Sequence, residues 1–584
     1  MKKLLISVFI HLSYSLVYSQ NNIETVYSRE IQEKIQEVEK SICLTTFQIE
    51  GQESATTIEE RMKAYGVKGV SIAVINNYQL DWAKGYGFAD SAEQRLVTTE
   101  TLFQAASISK SLNAMAMLKM VQEGKVSLNV DINEYLKSWQ FPYKSKISHQ
   151  NITIENLLSH TAGLNVHGFA GYHSSDSLPT TLQILNGTRP SNSEAILSVT
   201  KPNKYFSYSG GGTTITQLIQ MDNSKMPYDQ YMQEKVLSPL GMLSSSYSQP
   251  MNKSRSKEMA TGYTIDGKEV DGKYYIYPEQ APAGLWTTPS ELSQFIIETQ
   301  LSLEGKSNKI LSKEMTEKML TPIKEDAALG VFIENRDGVK YFQHSGANEG
   351  FRGIYYGSMK DGYGVVVFTN SDNGGVLMNE IVNAVSMAYK WKGFYKDKKI
   401  ITKKEILLPD SLSKKYVGSY KLNNELYDIS LENKQLKYNT GSGSWKMYFT
   451  SPTEFINIEA SSIKTFLLDS LGKVIGFIKI EGENNLGSFQ KVNIIEVPEI
   501  IKEKLLGNYN HGQQDLKIIE ENKDLFLFFD DENKMKLIFL SETEFYLEND
   551  HGAFCILKLD KKNQKILSIV RVQGDHKIVI KKTE

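Results

Sequence analysis

Residues 69–90 carry two short apolar runs separated by a reversal. "GVSIAVI" (Gly69 to Ile75) is β-branched and nearly unbroken, "NNY" supplies the turn, and "LDWAKGYGFAD" returns. β-Branched and aromatic side chains suit a pleated sheet, and Asn tolerates tight-turn backbone, so the stretch predicts a β-hairpin. From Ser107 the period changes: Ile108, Leu112, Met115, Leu118 and Val121 recur at helical spacing, and Gly124 offers a stop. Mixed helix and loop sequence follows to about Gly284, where "TTPSELSQFI" has the Thr, Pro and Ser that open another helix. Strand patterns return in "GVKYFQHSG", "GFRGIYYG" and "YGVVVFTNSD". Strands, then helices, then strands predict an α+β body, with an antiparallel sheet flanked by helices whose first and last strands can pair.

Beyond about Ile400 helical periodicity fades and short alternating strands dominate. The region also repeats itself. "YVGSY" (Tyr416 to Tyr420) is echoed by "LLGNY" (Leu505 to Tyr509), "SPTEFINIE" from Ser451 by "SETEFYLEN" from Ser541, and "FLLDSLGKVIGFIKI" from Phe466 by "ILKLDKKNQKILSIVRV" from Ile556. A common spacing of about 90 residues predicts two tandem all-β, barrel-like modules over 408–494 and 495–584. Neither gathers catalytic residue types, so both read as packing or binding modules.

The N-terminus carries a different signal. Lys2 and Lys3, the apolar run Leu4 to Ile10, and the small residues Val17 and Ser19 before Gln20 have the order of a signal peptide over 1–19. As a membrane anchor the run is short and broken by His11, Ser13 and Ser15. The expectation is an exported protein, periplasmic or secreted, with no stable membrane span. Residues 20–57 are charged and helix-prone, a segment outside the catalytic core or packed on its edge, and 58–398 would form the main body. At 584 residues the chain exceeds one core, and its net charge of −2 gives no pointer to nucleic acid. Only Cys43 and Cys555 are present, near opposite ends, and no structural disulfide is expected. Without CxxC, HExxH or a tight His/Cys cluster, no metal is expected either.

The chemistry begins at "FQAASISKSLNAM", where Ser107 stands three residues before Lys110. A serine hydroxyl is a poor nucleophile near neutrality and needs a base within hydrogen-bond reach. Positions i and i+3 share a helix face, and an early helical N–H lacks an internal partner. One motif therefore offers a nucleophile, an amine and an oxyanion donor, although alone it also describes a capped helix with a solvated lysine. SxxK accompanies SDN and KTG in penicillin-binding proteins and class A β-lactamases. Here "SDN" (Ser371 to Asn373) comes after the other elements and reads as a strand-end turn. The blocks that do fall in order are "GVSIAVI", "WAKGYGFAD", "LFQAASISKS", "LLSHTAGL" (Leu157 to Leu164), "FSYSGGG", "PAGLWTTPSELSQF" and "HSGANEGF". From about Ile58 to Phe394 the chain resembles the serine β-lactamase superfamily, on the branch of class C β-lactamases, DD-peptidases, D-aminopeptidases and esterases.

The resemblance implies a β-lactamase-like body with an all-helical subdomain, and roles for particular residues. Ser107 would be the acylated nucleophile and Lys110 its base, with a pKa lowered by burial or neighbouring charge. Tyr208 matches the tyrosine of YxN, a proton relay; otherwise it is a core aromatic. His344, with Ser345 and Gly346, stands where relatives have KTG or HxG, and its imidazole could donate a hydrogen bond or carry charge near neutrality. The N–H groups of Ser107 and Ala347 would form the oxyanion hole. Gly210 replaces the YxN asparagine, which puts substrate class in doubt. His160 reads as a loop-ordering residue, and Arg352 as a surface arginine or the holder of a substrate carboxylate. The implied function is an exported serine hydrolase acting through an acyl-enzyme on small peptide, amide or ester substrates, without cofactor. D-Amino-acid-containing substrates, peptidoglycan fragments among them, come first; a broad carboxylesterase or β-lactamase is the alternative. The non-enzyme alternative is a penicillin-recognising or cell-wall-binding protein. No oligomeric state follows from the sequence.

Overall fold

The computed structural model describes residues 27–42, 47–51, 57–143, 151–394, 401–423, 425–440, 443–458, 462–481, 484–511, 514–529, 534–548, 553–560, 565–573 and 576–583. The expected signal peptide and Cys43 lie outside them. β1 (Gly69–Asn76) and β2 (Gln79–Asp90) form the hairpin, and Asn77 and Tyr78 take the left-handed backbone (φ 50° and 63°) that a two-residue reversal requires. β3 (Arg95–Leu96) extends it on one side. The later strands are β4 (Phe332–Arg336), β5 (Val339–Asn348), β6 (Phe351–Ser358) and β7 (Gly364–Thr369). Among the described residues these seven form one sheet in the order β3-β2-β1-β7-β6-β5-β4. β1 and β7 pair antiparallel from Gly364–Ile75 to Thr369–Val70, so the first and last long strands of the body are neighbours.

Both faces of the sheet are covered, which explains why its central strands read as continuous apolar runs rather than alternating ones. On one face Ala73, Ile75, Val366 and Phe368 belong to a core shared with helices α1 (Ser109–Gln122), α2 (Gly210–Ser224) and α3 (Pro289–Leu303). On the other face Val70, Ile72, Val74, Val365 and Val367 pack with α4 (Gly374–Ala388). The helix Arg29–Lys40 adds Ile35 and Val38 to that outer layer. The Ser371–Asn373 turn precedes α4. There Ser371 Oγ accepts from Lys68 N–H, Asp372 Oδ1 accepts from Gly350 N–H, and Asn373 donates to the Ile265 carbonyl, all structural duties.

α1 differs from its sequence pattern. The apolar spacing predicts one buried face, but the helix is enclosed on all sides. Its polar residues are buried and hydrogen-bonded: Ser111 Oγ donates to the Gly330 carbonyl, and Asn113 bonds Thr216, Gln220 and Tyr228. Tertiary partners, not solvent, satisfy those groups.

Among the described residues, strands from Gly418–Leu422 to Asn484–Val492 form a nine-stranded antiparallel sheet, and strands from Gly507–His511 to His576–Lys582 close into an eight-stranded barrel. The repeat is visible in atomic detail. Tyr420 OH donates to the Tyr416 carbonyl and Tyr509 OH to that of Leu505, at 2.6 and 2.7 Å. Lys491 lies 5.4 Å from the Tyr420 ring centre and donates to the carbonyls of Lys415 and Val417. Lys582 lies 5.6 Å from the Tyr509 ring and donates to those of Lys504 and Leu506. In each module a lysine thus caps the carbonyls at the end of a short helix while its charge rests on an aromatic face. Cys555 is buried in the second core. Among the described residues no helix is long and apolar enough to cross a membrane.

Candidate active site

Ser107 does not sit in the α-helix itself but in a single 3₁₀ turn, Ala106–Ile108, that leads into α1. Ala106 before it has φ 49°, an uncommon conformation for a residue with a side chain. The turn is fixed from two directions. Ala105 N–H donates to the Leu285 carbonyl at 2.8 Å, and Ser109 Oγ accepts from Leu285 N–H at 3.0 Å. From the sheet side Gly346 of β5 lies so close that a Cβ on it would stand 2.2 Å from the Ala105 carbonyl oxygen. A backbone atom cannot swing aside. Gly346→Ala is therefore expected to push β5 off the Ser107 turn, lowering stability by about 1–3 kcal/mol and, if Ser107 is the nucleophile the sequence predicts, ester kcat/KM by roughly 100-fold, read by thermal unfolding and ester turnover.

Lys110, 3 % exposed, donates from Nζ to Ser107 Oγ at 3.0 Å and to the Pro282 carbonyl at 2.8 Å. Burial alone lowers its pKa to about 7, because an ammonium enclosed by protein loses its hydration. Tyr208 completes the group: Nζ of Lys110 lies 4.9 Å from its ring centre, and its phenol faces Ser107 in the same cavity. Burial raises the Tyr208 pKa, with the Ser107 hydroxyl opposing, so the phenol keeps its proton. His160 lies 4.4 Å from the Tyr208 ring and accepts from Ser209 N–H through Nδ1, which places it as a brace for the Tyr208 segment.

β4 pairs with β5 only as far as Phe332–Gln343, and beyond it His344–Asn348 pair with β6 alone among the described residues. The outer edge of that stretch borders a cavity of about 670 Å³ lined by Ser107, Tyr208, Phe332, His344, Ser345, Gly346, Ala347 and Arg352, among others. His344 Nδ1 bonds the Ser345 carbonyl at 2.6 Å, leaving Nε2 buried without a partner among the described residues. Burial first, then the neighbouring Lys110 charge, lower its pKa to about 3 against the opposing Ser345 bond. The sequence left open an imidazole charged near neutrality. The structure corrects this: the ring is neutral there. Arg352 borders the cavity but is engaged, with Nη1 on Asp372 Oδ1 at 2.8 Å and on the carbonyls of Asn348 and Phe351. Gly210 is buried beside the ring of Phe169.

The structure thus gathers Ser107, Lys110, Tyr208, His344, Ser345, Gly346 and Ala347, holds Arg352 to Asp372, and sets Gly210 to one side. Sequence reasoning missed Pro282, which acts through its carbonyl, and Phe332, whose ring stands 5.3 Å from His344 and 6.4 Å from Tyr208. Neither residue type signals such a role.

A family model described as Beta-lactamase matches residues 55–384. Protein flp of Staphylococcus aureus (strain MRSA252) is 29% identical over 328 residues, 55% of this chain and 62% of that protein. Unguisins hydrolase ungD' of Aspergillus campestris (strain IBT 28561) is 30% identical over 218 residues, 36% of this chain and 39% of that protein. The chain therefore spans less than two thirds of the length of these relatives. A D-amino acid amidase from Ochrobactrum anthropi SV3, a solved structure, aligns over 61% of this chain and 99% of its own with 20% identity and a TM-score of 0.49.

Proposed function

Since this chain belongs to the beta-lactamase family, whose model covers more than half its length, we propose that it is an exported serine hydrolase working through an acyl-enzyme on peptide and amide substrates, D-amino-acid-containing ones first. The observation that carries the reading is the 3.0 Å contact between Ser107 Oγ and a buried Lys110 whose pKa is held near 7. Near neutrality much of that amine is free base. It takes the Ser107 proton as Oγ bonds the substrate carbonyl carbon, and the oxyanion turns to the N–H groups of Ser107 and Ala347. The Tyr208 phenol passes a proton to the leaving nitrogen or oxygen as its bond to carbon breaks, and is reprotonated from Lys110. Water, deprotonated through the same groups, then releases the acid and restores Ser107. His344, neutral with Nδ1 donating inward, offers Nε2 as an acceptor and no charge. The unpaired edge of β5 supports an extended peptide lying alongside the nucleophile.

Export rests on the 1–19 pattern. In this reading 58–398 is the catalytic unit, and 408–494 and 495–584 are packing or binding modules beside it. A carboxylesterase is the second reading, because nothing polar at residue 210 is available to recognise an amide. The test is side-by-side turnover of a D-Ala-D-Ala peptide, D- and L-aminoacyl amides, short-chain esters and a chromogenic cephalosporin. The peptidase reading expects the D-amide or D-peptide to be turned over with the highest kcat/KM and the cephalosporin slowly. Hydrolysis confined to esters would replace it with the second reading, and penicillin binding without turnover of any substrate would favour the non-enzyme alternative.

A further inference from the structure

Glu279 is an acidic residue in a place that offers a negative charge no support. It is fully buried, and neither carboxyl oxygen has a hydrogen-bond partner among the described residues. It stands immediately before the short helix Gln280–Ala283, and its carbonyl accepts the Ala283 N–H at 3.0 Å. That helix supports the site from behind. Its Pro282 carbonyl accepts from Lys110 Nζ at 2.8 Å, its Ala281 N–H donates to Gln217 of α2 at 2.9 Å, and its Ala283 carbonyl accepts from Asn348 of β5 at 3.2 Å. A side chain at the root of this helix is thereby tied to Lys110, although it is not among the groups that line the Ser107 cavity.

Two phenols sense the Glu279 charge, Tyr172 and Tyr277, and both are engaged elsewhere. Tyr172 OH accepts from Asn192 N–H, and Tyr277 OH accepts from Glu349 N–H and donates to the Ala170 carbonyl. The elements packed on the helix carry Lys110 and Lys119 on α1, Asp222 on α2, and Tyr228, Asp229 and Tyr231 on the helix Tyr228–Met232; none of them is among the groups that shift Glu279. Burial raises the carboxyl pKa to about 8, against the weaker pull of its own backbone amide. A carboxylate left there without a cation or donor is costly, and water is its relief. Reaching water requires the backbone that carries it to move.

We infer that Glu279 is a positioning residue for the proposed reaction, a buried acid whose protonated form keeps the Gln280–Ala283 helix, and with it the Pro282 carbonyl, on Lys110, so that its ionisation unseats the base and ends activity on the alkaline side. The inference rests on the acyl-enzyme reading above. Protonated, the acid is neutral and packs with the core. When it gives its proton to solvent, the carboxylate draws the root of the helix outward and the Pro282 carbonyl leaves Lys110 Nζ. The amine then loses one of the two bonds that aim it at Ser107. Tyr208 does not titrate in the same range, because burial holds its phenol protonated.

The test measures kcat/KM for p-nitrophenyl butyrate from acid to alkaline pH with full-length wild type, Glu279→Gln and Glu279→Met, and thermal midpoints at the same pH values. In the wild type the plateau that follows the Lys110 rise is expected to turn down above about 8, falling about tenfold per unit. Glu279→Gln, similar in shape and unable to ionise, should keep the rise through 7 and lose the fall. Glu279→Met, equally unable to ionise, should do the same and guards against a folding defect confined to the amide. An acid whose folded pKa lies above its ordinary value weakens the native state progressively as pH rises between the two. The midpoint of Glu279→Gln should therefore gain on that of the wild type between 4.5 and about 8. A wild-type profile without the fall, or a fall that persists in both variants while only the midpoints change, overturns the inference and leaves the hydrolase reading standing. If the wild type turns over no ester at any pH and a fluorophosphonate does not label Ser107, the hydrolase reading fails first and the inference falls with it.

Discussion

Ser107→Ala is expected to lower the turnover of an activated ester by roughly 10⁴-fold or more, with the far-ultraviolet circular dichroism unchanged. The loss is large because in the proposed mechanism the hydroxyl is the atom that forms the covalent bond, and because the groups around it converge on it. Lys110 Nζ points to it at 3.0 Å, the Tyr208 phenol faces it, and the backbone that presents it is fixed through Ala105, Ser109 and Leu285. Removing one oxygen leaves those supports in place, so the fold should persist while the chemistry stops. An alanine variant that retained more than a few per cent of the activity would place the nucleophile elsewhere.

Lys110→Met should cost roughly 10²–10⁴-fold, since it removes the proton acceptor and keeps an unbranched apolar chain of similar length in the buried channel. The wild-type pH profile gives the sign. Burial lowers the Lys110 pKa to about 7, and in the proposed mechanism the free amine is the active form. Below that value the amine is protonated, with only about one-tenth left as base one unit lower. kcat/KM should therefore rise about tenfold per unit up to pH 7 and level off above it. His344 cannot account for that limb, because burial and the Lys110 charge keep its own pKa near 3. His344→Gln is expected to reduce activity and leave the midpoint of the rising limb near 7. A limb that vanished in His344→Gln and survived in Lys110→Met would assign the titration to the imidazole.

Local features were the ones legible in the sequence. The Asn77–Tyr78 reversal announces itself because two short runs and a turn lie within 22 residues of one another. The Ser107–Lys110 spacing carries its own geometry, one turn of helix, and the barrel repeat shows in matched residues such as Tyr420 and Tyr509. What sequence could not display depends on partners brought from afar. Periodicity marks one apolar face of α1, and Ser109, Ser111 and Asn113 look like its wet side until Leu285, Gly330, Tyr228 and Gln220 arrive to bond them. The Pro282 carbonyl that anchors Lys110 is invisible in a residue type known for its ring. Gly210 reads as a motif missing its asparagine, whereas in the fold it is the space taken by Phe169, 41 residues earlier. His344 reads as an ordinary titrating histidine because burial has no sequence signature at a single position.

In the proposed mechanism Ser107 Oγ is the atom acylated during turnover. This assignment is tested most directly by trapping: incubate the full-length protein with a fluorophosphonate or a slowly released β-lactam, quench, digest, and locate the mass increment. Stoichiometric modification of the peptide containing Ser107 is expected, rising with pH through 7 and absent in Ser107→Ala. Modification at another residue, or equal labelling of the alanine variant, would contradict it.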